Sequence, residues 1–182
     1  MRDNILFTFS NMIKIVNLWR SKMKRRLLLL SVFFLALMLV GCQSNEKTFS
    51  GAGVTITLDK SFVGKEVIQA PFYLESRNHL FMALRESKTD LRANGIATLE
   101  TYIRAVLKNA NKTATIKSFE EGDISYKYAY YSSTVDDQTF GYMLLVMEGE
   151  NHYYTMNFGC LEKNLEGNKD LYIKWAKTII VE

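Results

Sequence analysis

The chain has 182 residues, with 23 Lys and Arg against 19 Asp and Glu and a formal net charge of +4. Residues 1–42 hold seven of the basic residues and one acidic residue, so residues 43–182 carry 16 and 18 and a net charge of −2. Nucleic-acid binding calls for a basic folded part, so this distribution argues against a nucleic-acid partner. The 140 residues after position 42 are the usual size of one domain.

An export signal is predicted at the N-terminus. Residues 27–40 are a run of 14 that is apolar except for Ser31 and carries no charge, preceded by Lys24, Arg25 and Arg26. A membrane-spanning helix needs about 20 apolar residues, so the run fits a signal peptide that ends at residue 41. The segment from Met23 is a complete signal by itself. Our hypothesis is that translation begins there and that residues 1–22 are a mis-assigned start; the alternative is a long n-region.

The signal ends in Leu39, Val40, Gly41 and Cys42, which resembles a bacterial lipobox. That resemblance implies a diacylglyceryl group on the Cys42 sulfur and cleavage just before it. Two acyl chains attach a protein to a bilayer durably where one does not. We therefore expect a cell-membrane protein anchored outside the cytoplasm; the alternative is an ordinary signal peptide with a chance cysteine. Residues 42–52 would be a lipidated N-terminus and polar tether, and residues 53–182 a single domain.

The first half of the domain is predicted to contain three strands and a helix. Residues 53–58 alternate apolar and polar, and residues 72–74 and 79–85 form a second and third strand around a polar turn. The period then changes to that of an amphipathic helix over residues 98–109, with Thr98 as N-cap and Glu100 favourably placed in its first turn.

The second half is predicted to contain four strands and a closing helix. The strands span residues 113–119, 124–132, 139–147 and 152–158, and the short turns between them imply antiparallel hairpins. The helix spans residues 169–178, with Asn168 as its cap. This order, β-β-β-α-β-β-β-β-α, predicts an α+β fold in which an antiparallel sheet is covered by two helices.

The domain resembles the PsbP-like family, which includes photosystem PsbP proteins, the Ran-binding Mog protein and bacterial lipoproteins of unassigned role. The resemblance rests on the opening GVTITLDKSF, the strand HLFMALRES, the helix TLETYIRAVLKN, the Tyr-rich hairpins and the closing LYIKWAKTIIV. It covers nearly all of residues 53–181 and contains no diagnostic catalytic motif. It implies an accessory or partner-binding role.

Candidate reactive residues are few. Cys160 is the only thiol once Cys42 is a thioether, and its apolar neighbours indicate a buried core residue rather than a reactive one. His79 and His152, the only histidines, each begin a predicted strand. A zinc site needs three or four ligands at characteristic spacing, and none is present, so we predict neither metal nor cofactor.

Two further sets of residues suggest a site, but each is also explained as ordinary turn residues. His152 with Asp136 or Asp137 could in principle serve Ser132 or Ser133 as a hydrolase, but serines and aspartates are the usual residues of hairpin ends. The acidic pairs Asp136–Asp137 and Glu148–Glu150 suggest a calcium site, but a calcium loop needs more oxygen ligands in a fixed order. We therefore predict no catalytic residue.

The tyrosines are the most distinctive feature of the domain. Tyr126, Tyr128 and Tyr130 alternate along one strand face, and Tyr142 and Tyr154 would continue it on neighbouring strands. Such a face would suit a glycan or an extended peptide, because the rings supply contact area and the hydroxyls supply hydrogen bonds. The alternative, which we favour, is that the rings belong to the core and only their hydroxyls reach water.

The sequence thus predicts a lipid-anchored, non-catalytic binding or assembly module of the bacterial cell surface. Its partners would be the bilayer, through the anchor, and an envelope protein or glycan. Two alternatives remain open: a cell-envelope hydrolase, and a small-ligand receptor for a transporter.

Overall fold

A computed structural model describes residues 45–68 and 70–182. The predicted signal peptide and the lipobox with Cys42 lie outside the described residues. The elements are, in chain order, β1 (Glu46–Gly51), β2 (Val54–Asp59), β3 (Val63–Gly64), β4 (Phe72–Glu75), β5 (Leu80–Ser87), α1 (Lys88–Ala93), α2 (Leu99–Asn109), β6 (Lys117–Glu121), β7 (Ile124–Val135), β8 (Gln138–Glu148), β9 (His152–Leu161), α3 (Leu165–Ala176) and β10 (Ile180–Val181).

The strands form two antiparallel sheets. The larger has seven strands in the order β3-β4-β5-β9-β8-β7-β6, and the smaller has three in the order β1-β2-β10. The predicted α+β class with an antiparallel sheet is confirmed. The second sheet is an addition that hydrophobic periodicity did not predict.

One face of the large sheet, here called the inner face, carries the main core. The register places Tyr126, Met147 and Tyr154 in one row across three strands, and Phe81 beside Phe158 in another. These side chains pack against Val54, Ile56 and Leu58 of β2 and against Leu165, Tyr172, Trp175 and Ala176 of α3. Period-two alternation thus directs one set of side chains to this core and the other set to the opposite face.

The opposite, outer face packs against α2. Tyr102, Ile103 and Leu107 of the helix are buried on Leu144 and Val146 of β8. The helix begins as predicted at Thr98, whose hydroxyl accepts a hydrogen bond from the Thr101 amide at 3.1 Å. The Thr101 hydroxyl in turn accepts from the Thr98 amide at 3.1 Å, which completes a capping box.

The β7–β8 hairpin sets the register of the tyrosine-rich strands. Its turn is the two residues Asp136 and Asp137, with φ of 48° and 61°, so it is a type I′ turn. Val135 therefore pairs with Gln138, and counting back along both strands places Tyr131 opposite Tyr142.

Several boundaries differ from those predicted. Residues 46–51, expected in the tether, form β1, because hydroxyl pairs with β2 such as Ser50–Thr55 (2.8 Å) support a strand that hydrophobic periodicity does not mark. The last helix begins at Leu165, so Asn168 lies inside it rather than at its cap. β6 begins at Lys117, because Ala114 and Ile116 pack into the cluster beneath α2.

Among residues 45–68 and 70–182, no helix combines the length and the apolar character needed to cross a membrane.

Candidate functional site

The structure divides the five predicted tyrosines between core and surface. Tyr126 and Tyr154 are buried on the inner face, with 1% and 0% of their surface exposed. Tyr128 and Tyr130 are partly buried on the same face, whereas Tyr142 lies on the outer face. The five tyrosines therefore do not form one continuous face, because the register places Met143 rather than Tyr142 opposite Tyr130.

The buried tyrosines have different hydrogen-bonding environments. The Tyr154 hydroxyl donates to the Glu182 carbonyl oxygen at 3.0 Å. The Tyr126 hydroxyl is buried without a hydrogen-bond partner among the described residues, and its ring stacks on Phe119 at a centroid distance of 4.8 Å. Burial raises the pKa of Tyr126. Burial also raises the pKa of Tyr130, to about 12. These rings act as core residues.

His79 and Cys160 also belong to the inner aromatic cluster. His79 Nδ1 lies 3.1 Å from the Tyr172 hydroxyl, and its ring packs edge-on against Trp175. Burial lowers the pKa of His79, and the negative charge of Asp59 partly offsets this effect. Cys160 is 3% exposed beside the same tyrosine. The geometry gives both residues a packing role.

The residues considered for a hydrolase are far apart. Ser132 lies opposite Gly141, which pairs with Cys160 near the end of β9, whereas His152 begins that strand. Eight residues of extended chain span about 26 Å. Asp136 and Asp137 are exposed in the hairpin turn beyond the serines, so a catalytic triad is not assembled. Among the described residues, no group of three or more metal-ligating side chains converges.

A polar network that sequence reasoning missed fixes α2 on the outer face. The Tyr102 hydroxyl donates to Glu86 Oε2 at 2.6 Å and accepts from the Thr155 hydroxyl at 2.8 Å. Burial, followed by the bond to Glu86, raises the pKa of Tyr102. The Tyr153 hydroxyl donates to the Ala97 carbonyl at 3.0 Å, just before the helix. These bonds position the helix over β8 and β9.

The rest of the outer face is only partly covered. We call this surface the open outer face; its residues are Tyr73, Leu80, Met82, Phe140 and Tyr142, all partly exposed. Gly159 lies between Leu80 and Tyr142, and a Cβ at this position would be 2.9 Å from each. The glycine therefore lets two large side chains close over β9 and form a continuous apolar surface.

A groove borders the open outer face where three strand ends meet. It has a volume of about 340 Å³ and lies between the β4–β5 turn, the start of β8 and the end of β9. The turn is closed by a hydrogen bond from the Ser76 amide to the His79 carbonyl at 2.8 Å. The groove is lined by apolar Leu80 and Phe140, by the polar side chains of Glu75, Arg77, Asn78, Gln138 and Asn164, and, at its base, by His79 and Cys160.

The charges at the groove are unequally paired. Glu75 forms an ion pair with Lys65 and lies 3.5 Å from the Tyr73 hydroxyl. Burial, and then the charge of Glu75, raises the pKa of Tyr73. Arg77 makes no ion pair with any residue that the structure describes. The groove thus combines an apolar wall, neutral amides and one available cation.

The fold is similar to that of solved structures. Cyanobacterial PsbP from Synechocystis superposes with a TM-score of 0.54 at 13% identity, over 79% of this chain and 99% of that one. The described domain has the PsbP-like fold. No family model matches the sequence, and no curated protein matches it either.

Two other solved structures also match most of this chain, with lower scores. A Bacteroides thetaiotaomicron protein has a TM-score of 0.50 at 13% identity over 78% of this chain, which spans about half of that protein's length (49%). The Ran-binding protein Mog1p of Saccharomyces cerevisiae has a TM-score of 0.49 at 10% identity, over 75% of this chain and 95% of that one. At such identities the similarity concerns the fold alone.

Sequence reasoning missed the groove of this PsbP-like domain because its residues come from separate segments. Gln138 and Asn164 lie far along the chain from Asn78, and each follows or precedes a turn in which polar residues are ordinary. The one usable signal was Gly159 at the end of a predicted strand, since a glycine in a strand often marks a close approach.

Proposed function

We propose that this chain is a bacterial lipoprotein, anchored through Cys42 outside the cytoplasmic membrane, whose PsbP-like domain is a non-catalytic binding module. The anchor rests on the lipobox and signal peptide of the sequence. The binding role rests on one observation: the outer face of the sheet is covered only in part, and a polar groove of about 340 Å³ borders the uncovered part.

The groove chemistry favours a carbohydrate ligand. Apolar Phe140 and Leu80 suit the C–H faces of a sugar ring, and the amides of Asn78, Gln138 and Asn164 can both donate and accept hydrogen bonds with hydroxyl and acetamido groups. A volume of this size accommodates a small ligand or the end of a chain. We infer that the module binds an oligosaccharide of N-acetylated amino sugars.

The separation of His79, His152 and the hairpin serines supports a binding role over a hydrolase. His79 lines the groove but hydrogen-bonds to the Tyr172 hydroxyl, and neither hairpin serine lines the groove with it. His152 is at the end of β9 opposite to the groove. A transporter receptor that encloses its ligand is less well supported, because the groove is formed by one domain at its surface.

The anchor is tested by fractionating cells that express the full chain or its Cys42→Ser variant. We expect the first in the membrane fraction and the variant in soluble form outside the cytoplasm. Equal membrane association of the two, with the signal peptide shown to be removed from both, would contradict the anchor.

The groove is tested by titrating the released Cys42→Ser chain with an N-acetylated amino-sugar oligosaccharide and following binding by calorimetry. Adding Asn78→Ala or Gln138→Ala should weaken binding about tenfold, because each removes one or two hydrogen bonds to the sugar. Asn109→Ala is the matched control, since this amide is exposed at the end of α2. Cleavage of the sugar, or equal binding by all variants, would contradict the proposal.

A further inference from the structure

The second half of β7 is an open sheet edge. β6 pairs with β7 only from Ile124 to Tyr128, whereas β8 pairs with it on the other side as far as Val135. No described strand lies beside residues 130–135 on the β6 side. Ser132 and Thr134 are exposed there, and Val135 is 52% exposed.

The hairpin geometry determines which backbone groups face this edge. In a two-residue hairpin the residues that flank the turn exchange hydrogen bonds, and bonded pairs then alternate along the strands. Val135 is such a flanking residue, so Ser133 and Tyr131 bond to β8 as well. The amide and carbonyl groups of Tyr130, Ser132 and Thr134 therefore point away from β8. Among the described residues, these amide and carbonyl groups also take no part in any backbone hydrogen bond of the loops and turns.

This edge lacks the protection that other edges of the domain have. Natural sheets block unwanted pairing with charged side chains, prolines or very short edge strands. β6 carries Lys117, Glu120 and Glu121 at its edge, and β3 is only two residues long. Residues 130–135, Tyr-Tyr-Ser-Ser-Thr-Val, contain no charge, proline or glycine and have high strand propensity.

A cationic groove lies next to the open edge. Arg104, Lys108 and Lys112 line a cavity of about 420 Å³ between α2 and residues 111–116. Lys112 Nζ is 6.0 Å from the centre of the Tyr131 ring, which places this charge on the outer face of β7, beside the open edge. Within the described part of the chain, Lys108 and Lys112 form no ion pair, whereas Arg104 is paired with Glu100 at 2.6 Å.

We propose that residues 130–135 are a docking site for an acidic, extended segment of a partner protein, which adds as a strand to the edge of β7. Backbone groups of Tyr130, Ser132 and Thr134 supply the pairing, and carboxylates of the segment meet Lys108 and Lys112. A second copy of this chain fits less well, because it would bring the same lysines to the edge. The site is independent of the groove proposed to bind carbohydrate.

The test uses blocked peptides in which Val and Thr alternate with Glu, compared with peptides that carry Lys in place of Glu. They are added to the released Cys42→Ser chain, and affinity and amide hydrogen exchange are measured. We expect binding of the Glu peptide, binding of the Lys peptide at least about tenfold weaker, and slowed exchange of the Tyr130, Ser132 and Thr134 amides.

A pair of substitutions at one position separates backbone pairing from side-chain contact. Ser132→Pro removes an outward amide that β8 does not use, a place where an edge strand tolerates proline. It should weaken binding about tenfold or more, whereas Ser132→Ala should leave it unchanged. If Ser132→Pro does not fold, the exchange data on the unsubstituted edge decide the matter.

Three results would overturn the docking site. They are equal binding by Ser132→Pro and Ser132→Ala, absence of slowed exchange at the edge with the Glu peptide, and a concentration-dependent dimer that Ser132→Pro abolishes, which would make a second copy the occupant. Loss of carbohydrate binding by groove variants would not affect any of them.

Discussion

The inner and outer faces of the seven-stranded sheet are built from the same strands, yet they are covered to different extents. The inner face is closed by the small sheet and α3, and its aromatic rings form one cluster around Phe158. The outer face is covered by α2 over β7 and β8, while Tyr73 and Met82 at the other side stay partly exposed. An aromatic residue of this sheet is therefore structural or available for binding according to whether its face is covered by other elements, and not according to its residue type.

The largest expected contrast is between two phenylalanines. Phe158 is 0% exposed and contacts Phe81, Tyr172 and Trp175, so Phe158→Ala should lower the free energy of unfolding by about 3–5 kcal/mol. Phe140 is partly exposed on the outer face, and Phe140→Ala should cost about 1 kcal/mol. Urea denaturation of both variants measures the difference. Similar losses would show that the outer face is as tightly packed as the inner one.

The next contrast uses two glycines. Gly159→Ala should destabilise the domain by about 1–3 kcal/mol, because its Cβ would press on Leu80 and Tyr142 at 2.9 Å. Gly167 is exposed within α3 with open space where a Cβ would stand, so Gly167→Ala should stabilise the domain by about 0.5–1 kcal/mol. Thermal unfolding measures both. A neutral Gly159→Ala would mean that the apolar surface over β9 adjusts freely.

A smaller contrast, of opposite sign on the two faces, comes from tyrosine hydroxyls. Tyr126→Phe removes a buried hydroxyl without a partner among the described residues and should leave stability unchanged or raise it by about 1 kcal/mol. Tyr153→Phe removes the bond to the Ala97 carbonyl and should cost about 1 kcal/mol. Urea titrations of the two variants test this, and a loss in Tyr126→Phe would show that its hydroxyl has a partner in solution.

The smallest effect concerns pH. Burial lowers the pKa of His79 in the folded state, so protonation favours the unfolded chain. This contribution to stability is present above the unfolded pKa of about 6.5 and is lost as the pH falls towards the lowered value. The wild type should therefore lose more stability than His79→Phe between about pH 7 and about pH 5. If the stability of the two proteins falls equally with pH, groups other than His79 cause the loss.

Most elements were predictable because alternation and helical periodicity mark residues with one buried face. The β7 strand and the N-cap at Thr98 follow from such local patterns. The assignment of Tyr142 to a face required the register, which the two-residue turn at Asp136 and Asp137 sets. β1 was missed because it is a polar edge strand, supported by hydroxyl pairs that appear only once its partner is known.

The candidate site was less predictable than the fold. The tyrosine pattern pointed to a strand that does lie in the sheet, and four of the five rings it marked lie in or pack against the inner core. The groove around Asn78 and Gln138 needs three strand ends to converge, and the free edge of β7 depends on where β6 stops. Both are properties of topology, so no local pattern carries them.

The order of strands in the large sheet also determines how the chain can fold. β6 to β9 follow one another as hairpins, so each can pair as soon as its neighbour is available. β5 instead pairs with β9, and the chain between Ser87 and its partner His152 contains both α1 and α2 and three strands. Such a non-local pairing forms slowly, because a long loop must close first. We expect the β6–β9 meander to form early and the β4–β5 hairpin to wait with an apolar edge exposed, which makes that hairpin the part of the domain most prone to aggregate during folding.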